Sequence, residues 1–69
     1  MTEAQKKRCG RRIGIYLLDH RKTRKWLADQ CGVSRSMISY IILGDKAPSR
    51  ALAERIAKVI GTSVEALVK

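Results

Sequence analysis

The chain has 69 residues, of which 45% are hydrophobic, with no Phe, one Trp and two Tyr. A chain this short forms one thin core, here necessarily aliphatic, and has no second layer in which to bury a catalytic cleft. Fifteen Lys and Arg oppose six Asp and Glu, a formal net charge of +9, so a polyanion is the natural partner and nucleic acid the commonest one.

The cysteines exclude further classes. Cys9 and Cys31 are too few for a disulfide framework or a four-ligand zinc site, and His20 is the only His, so no metal or cofactor is expected. There is no signal-peptide pattern and no apolar run of membrane-spanning length. The basic stretches lack the wide apolar face of a membrane-surface helix. These features read as a cytoplasmic protein with reduced thiols and no membrane partner.

The first element opens at Thr2-Glu3-Ala4-Gln5, which fits a capping box with Thr2 as N-cap. Residues 1–8 admit two readings, a helix start or a flexible basic arm formed by Lys6, Lys7 and Arg8. From Cys9 onward, Cys9, Ile13, Tyr16 and Leu17 line one helical face. Gly10 and Gly14 each cost that helix about 1 kcal/mol against Ala. Either they admit a close neighbour or they are simply tolerated, and tolerance is the expectation. The helix should fade in His20-Arg21-Lys22.

Thr23 caps a second helix over Arg24 to Gln30, with Trp26, Leu27 and Cys31 as its large buried residues. Gly32 ends it as a left-handed residue would. Ser34 caps a third helix carrying Met37, Ile38, Ile41 and Ile42, stopping at Gly44-Asp45. Lys46 to Pro48 is a loop. Ser49 caps a fourth helix to Ile60, with Ala53, Ile56, Ala57 and Ile60 inward. Thr62 and Glu65 form a second capping box, opening a short fifth helix through Val68. The expectation is therefore a single all-α domain over residues 1–69 with five helices.

The stretch from Arg24 to Leu43 carries the chemistry. Two helices crossing steeply through a short turn need a small residue at the crossing, and Ala28 supplies it. The turn needs a residue that accepts positive φ, and Gly32 supplies that. Ile38 and Ile41 anchor the inner face of the second helix of the pair, and Val33 plugs the turn. Arg35, Ser36, Ser39 and Tyr40 are left outside as hydrogen-bonding side chains.

This pattern resembles the helix-turn-helix of the lambdoid phage repressor and Cro family. Ala28, Gly32 and Ile38 stand at its small, turn and core positions, and Leu27-Ala28 followed by Gly32-Val33-Ser34 is close to its usual wording. Gly44, Pro48-Ser49, Ile56-Ala57-Lys58, Gly61 and Ser63 extend the similarity, which runs from Ile13 to Val68. The resemblance implies a five-helix domain whose recognition helix, residues 34–43, enters the major groove of double-stranded DNA. It implies base contacts from Arg35, Ser36 and Tyr40, with Ser39 beside them. Arg35 can bond guanine O6 and N7 together or grip a phosphate; Tyr40 can meet a thymine methyl, reach a phosphate or shield Ile42.

Phosphate contacts are expected at the start of the second helix, where free N–H groups and the positive dipole end draw an anion to Thr23, Arg24 and Lys25. Ser34, Lys46 and Arg50 complete that set. Lys22 stands where the family has an apolar staple, and Ile42 and Leu43 where polar residues are common. Ile42, Leu43, Leu52, Val59, Leu67 and Val68 read either as core or as a partner-subunit patch. The family commonly dimerises through its C-terminal region, which implies a homodimer on a palindromic operator.

The resulting expectation is a sequence-specific transcriptional regulator of phage or bacterial type, a compact Cro-like repressor that blocks polymerase by occupying its operator, with no small-molecule effector. A fragment of a longer repressor gives the same sequence pattern. The alternative is an antitoxin-like protein-interaction module on the same fold. An enzyme is disfavoured, because no paired carboxylates, phosphate-cradling Gly loop or Ser-His-Asp set is present.

Overall fold

The computed structural model describes residues 1–69 as five helices. They are α1 (Glu3–Asp19), α2 (Arg24–Cys31), α3 (Arg35–Ile42), α4 (Arg50–Ile60) and α5 (Val64–Val68). Cys9, Ile13, Leu27, Ile38, Ile41 and Ile56 are fully enclosed at its centre. Helix α1 packs on α3 and α5, and α2 packs on α3 and α4.

Local hydrogen bonds explain most of the boundaries. Thr2 Oγ1 accepts from Gln5 N at 3.1 Å, and Gln5 Oε1 accepts from Thr2 N at 2.9 Å, closing the capping box. Residues 3–8 are thus helical, and the basic arm is not the form they take. Glu3 accepts from Lys6 Nζ at 2.8 Å, and that hydrogen bond and charge hold its carboxyl below the usual carboxylate range. Thr23, Ser34 and Ser49 cap α2, α3 and α4 as the sequence indicates.

Three boundaries carry new information. At the end of α1, Lys22 N bonds Leu17 O at 2.8 Å and Arg21 N bonds Leu18 O at 3.2 Å. This is the six-to-one and five-to-two pairing of a Schellman turn, with Arg21 at φ 52° in the place glycine usually takes. Helix α2 runs one residue beyond Gln30, to Cys31, and Arg55 Nη1 from α4 bonds the Cys31 carbonyl at 3.3 Å. The cap of α5 is Ser63 rather than Thr62. Thr62 N is drawn back to Ala57 O at 2.8 Å, closing the end of α4, so the capping role falls one residue later, where Ser63 Oγ accepts from Ala66 N at 3.1 Å.

Gly10 corrects the expectation of mere tolerance. It is buried against the C-terminal turn of α3, where a Cβ would overlap the Ile41 carbonyl oxygen and stand 2.7 Å from that of Ile42. The missing side chain lets the backbones of α1 and α3 touch. Gly14 is different: a Cβ there would meet only Ile42 Cγ2, at 3.4 Å.

The apolar residues divide more finely than periodicity suggests. Leu52 and Leu67 belong to the core, and Val59 and Val68 are half-buried against it. Trp26, expected to be buried, is half-buried, and Lys22 Nζ lies over its ring, 4.9 Å from the centroid, at cation–π distance. Met37, Ile42 and Ile60 are likewise half-buried. Tyr40 does not shield Ile42. Residues two apart on a helix point to nearly opposite sides, so Ile42 meets α1 while Tyr40 faces solvent. Leu43 alone of the suspected patch remains well exposed, at 64%.

Candidate nucleic-acid interface

Helices α2 and α3 meet through Leu27, Ala28, Ile38 and Ile41, all buried. Ala28 is small enough for the crossing, and its carbonyl accepts from Val33 N at 3.0 Å and from the Gly32 N–H. Gly32 sits at φ 69°, ψ 32°, the left-handed region that the turn requires. Val33 follows, half-buried against the core. This scaffold leaves the opposite face of α3 open.

On that face Arg35, Ser36 and Tyr40 are exposed and Ser39 is half-buried. Arg24, at the first position of α2, reaches across and donates from Nη1 to Ser39 Oγ at 3.3 Å. The N-terminus of α2 and the middle of α3 therefore form one continuous surface, although 15 residues separate the two partners.

Both helix N-termini border this surface. The hydroxyls of Thr23 and Ser34 are occupied as caps, accepting from Trp26 N at 3.0 Å and Met37 N at 3.1 Å. The N–H groups of the first turn of α2 have no intrahelical acceptor, and with the helix dipole they make a favourable place for an anion. Lys25 pairs with Asp29 at 3.1 Å and Arg50 with Glu54 at 3.2 Å. These exposed i,i+4 pairs are worth about 0.3–0.5 kcal/mol each, little enough for either cation to turn to a phosphate.

After α3 the chain folds back, and Asp45 N and Lys46 N bond the Tyr40 carbonyl at 2.9 and 3.3 Å. This brings exposed Lys46 to the end of α3. Lys7 of α1 joins it, its stem lying against Gly44, where an added Cβ would stand 3.2 Å from Lys7 Cγ. Sequence reasoning left Lys7 open between a helix start and a basic arm, and missed this placement. Nothing local signals it, because it follows from the contact between Gly10 and α3.

The profile of the helix-turn-helix family of Cro/C1 type matches residues 16–67, from the last turn of α1 through α5. The chain belongs to the Cro/C1-type helix-turn-helix family. It is a DNA-binding domain of the kind found in transcription regulators. Neither the curated proteins nor the solved structures yielded a match to it.

The rest of this helix-turn-helix protein bears on what the interface lacks. Cys9 and Cys31 are buried free thiols, and no cluster of His, Cys, Asp and Glu could hold a metal ion. Burial pushes both thiols up, with Arg55 pulling that of Cys31 slightly the other way. No helix is long and apolar enough to cross a membrane.

Proposed function

We propose that this protein is a sequence-specific repressor that occupies a palindromic operator as two copies, with α3 in the major groove of each half-site. The single observation that carries this reading is the open polar face of α3. Arg35, Ser36 and Tyr40 stand exposed on an anchored helix, and Arg24 ties Ser39 of the same face to the N-terminus of α2. A nonspecific polyanion binder needs the net charge of +9 but not an ordered hydrogen-bonding face on a buried anchor.

The roles divide by position. Arg35, Ser36, Ser39 and Tyr40 read base edges, Arg35 by bidentate bonds to a guanine. Thr23, Arg24, Lys25, Ser34, Lys46 and Arg50 position the phosphate backbone, the two capping residues through the N–H groups of the turns they open. Repression follows from occupancy, since an operator covered by the domain is closed to polymerase.

Selection from a random duplex pool tests the reading. An enriched palindrome with half-sites about 34–36 Å apart is expected. Arg35→Ala should lose about 1–3 kcal/mol on the selected site and little on random DNA. Equal losses on both would remove Arg35 from base reading.

A further inference from the structure

The geometry points to a second binding surface, on the outer face of α1, that docks an acidic amphipathic segment of another protein. It lies outside the DNA-binding surface and goes beyond the regulatory reading above. Residues Arg8, Arg11, Ile15 and Leu18 recur at helical spacing on the side of α1 opposite Cys9, Gly10, Ile13 and Leu17. Ile15 is 50% exposed and Leu18 79% exposed, two large aliphatic side chains in solvent on a chain whose other leucines and isoleucines are mostly covered.

The surroundings specify the partner. Ile15 also lines a groove of about 300 Å³ between α1 and the α4–α5 corner, walled by Tyr16, His20, Ile60 and Leu67. On its other side Ile15 borders a shallow hollow with Arg8, Arg11, Lys69 and Arg12, whose guanidinium is already engaged, donating to the Lys69 carbonyl oxygen at 2.8 and 3.2 Å. The three ion pairs of the protein lie elsewhere, so Arg8 and Arg11 are unneutralised. An apolar centre beside free guanidinium groups is complementary to a helix or strand carrying aliphatic residues on one edge and carboxylates on the next. Asp19, at the C-terminal end of α1, also lines the groove and fixes the direction. The carboxylates of the partner run along Arg8 and Arg11, and its apolar residues cover Ile15 and Leu18.

The orientation of this face disfavours a second copy of this chain as the occupant. Helix α1 meets α3 through its Gly10 side, so Ile15 points away from the open face of α3. Two copies joined through Ile15 would turn their recognition helices apart rather than onto one duplex. The same orientation leaves this face accessible while α3 lies on DNA.

The test uses the full chain, ¹⁵N-labelled, with a short synthetic peptide of Leu and Glu whose leucines fall on one helical face. A scrambled peptide of the same composition and phosphatidylglycerol vesicles serve as comparisons. Amide shifts are expected along Arg8–Asp19 and around Ile60, with the patterned peptide binding at least about tenfold more tightly than the scrambled one. The double variant Ile15→Ser with Leu18→Ser, both on exposed positions, should weaken peptide binding by about tenfold while its melting curve and its affinity for a selected duplex stay as in the parent. Reversing charge with Arg8→Glu and Arg11→Glu should weaken the peptide in the same way.

Four results would overturn the proposal. These are shifts centred on Arg24 to Tyr40, equal binding of the scrambled peptide, tighter binding of the vesicles on the same residues, and self-association in sedimentation that Ile15→Ser abolishes. Duplex binding is read separately, so loss of DNA recognition would strike the regulatory reading and leave this one standing.

Discussion

The sharpest consequence of the fold is that two glycines, four residues apart on one helix, should answer the same substitution with opposite signs. In a free helix either Gly→Ala change stabilises by about 1 kcal/mol, through propensity and a less flexible unfolded chain. At Gly14 the new methyl meets one side-chain carbon at 3.4 Å, ordinary contact, so the gain should survive as about 0.5–1 kcal/mol. At Gly10 the methyl overlaps the Ile41 carbonyl oxygen and comes within 2.7 Å of the Ile42 oxygen and 3.0 Å of its carbon. All three are backbone atoms, so no rotamer change relieves them. Helices α1 and α3 must part by more than half an ångström, and a gap of that size forfeits a quarter to a half of the dispersion energy across the seam. Overpacking of this kind costs about 1–3 kcal/mol, and with backbone on the receiving side the upper end applies. Subtracting the propensity gain leaves Gly10→Ala destabilised by about 2 kcal/mol. For a domain of this size that is about 8–16 °C in Tm, against a rise of a few degrees for Gly14→Ala. Thermal and urea melts followed by circular dichroism measure both. A Gly10→Ala protein as stable as the parent would mean that the backbones of α1 and α3 do not touch. The placement of Lys7 beside Gly44 would fall with it.

Other consequences are simpler. Arg21→Gly should stabilise by about 1 kcal/mol, since Arg21 holds φ 52° in the Schellman turn after α1, and an unchanged urea midpoint would contradict that backbone. Arg24→Ala should weaken every duplex alike and lower the slope of log K against log salt by about 0.9, while Ser39→Ala leaves the slope alone. If Arg24 only braces Ser39, the two variants will match. Cys9 and Cys31 should react with a thiol reagent at pH 8 only as fast as the protein opens, because both are buried and kept protonated. Their folded values lie above the ordinary 9.0, so the stability they contribute is complete below that value and is lost as pH rises through the raised folded one. A urea midpoint that rises from pH 8.5 to 10 would refute the sign.

What was legible in the sequence was what depends on near neighbours. Thr2, Thr23, Ser34 and Ser49 announce helix starts because a hydroxyl bonds an N–H three residues on, whatever the rest of the molecule does. Gly32 announces the turn because positive φ is a property of one residue. Ala28 and Ile38, spaced along two short helices, were enough for the crossing, and with it for the open face bearing Arg35, Ser36 and Tyr40. The cap at Ser63 escaped because Thr62 has the same chemistry, and the choice between them was made by a bond back to Ala57.

The tertiary structure decided whatever depends on which elements touch. Gly10 reads as a weak helix residue until α3 is laid against it, and then it becomes the point where two backbones meet. Trp26 reads as core, yet in the fold it packs only at the edge of the core, half-buried, with Lys22 over its ring. Ile42 and Leu43 are neighbours of equal hydrophobicity, yet one packs toward α1 and the other stands in solvent, because a helix turns by about 100° per residue and α1 covers only one side. Helical boundaries are set by bonds reaching three to five residues, so the order of side chains encodes them directly. The burial of a given apolar residue, and the nearness of Lys7 to the end of α3, are set by packing between segments far apart in the chain, and those exist only once all five helices are assembled.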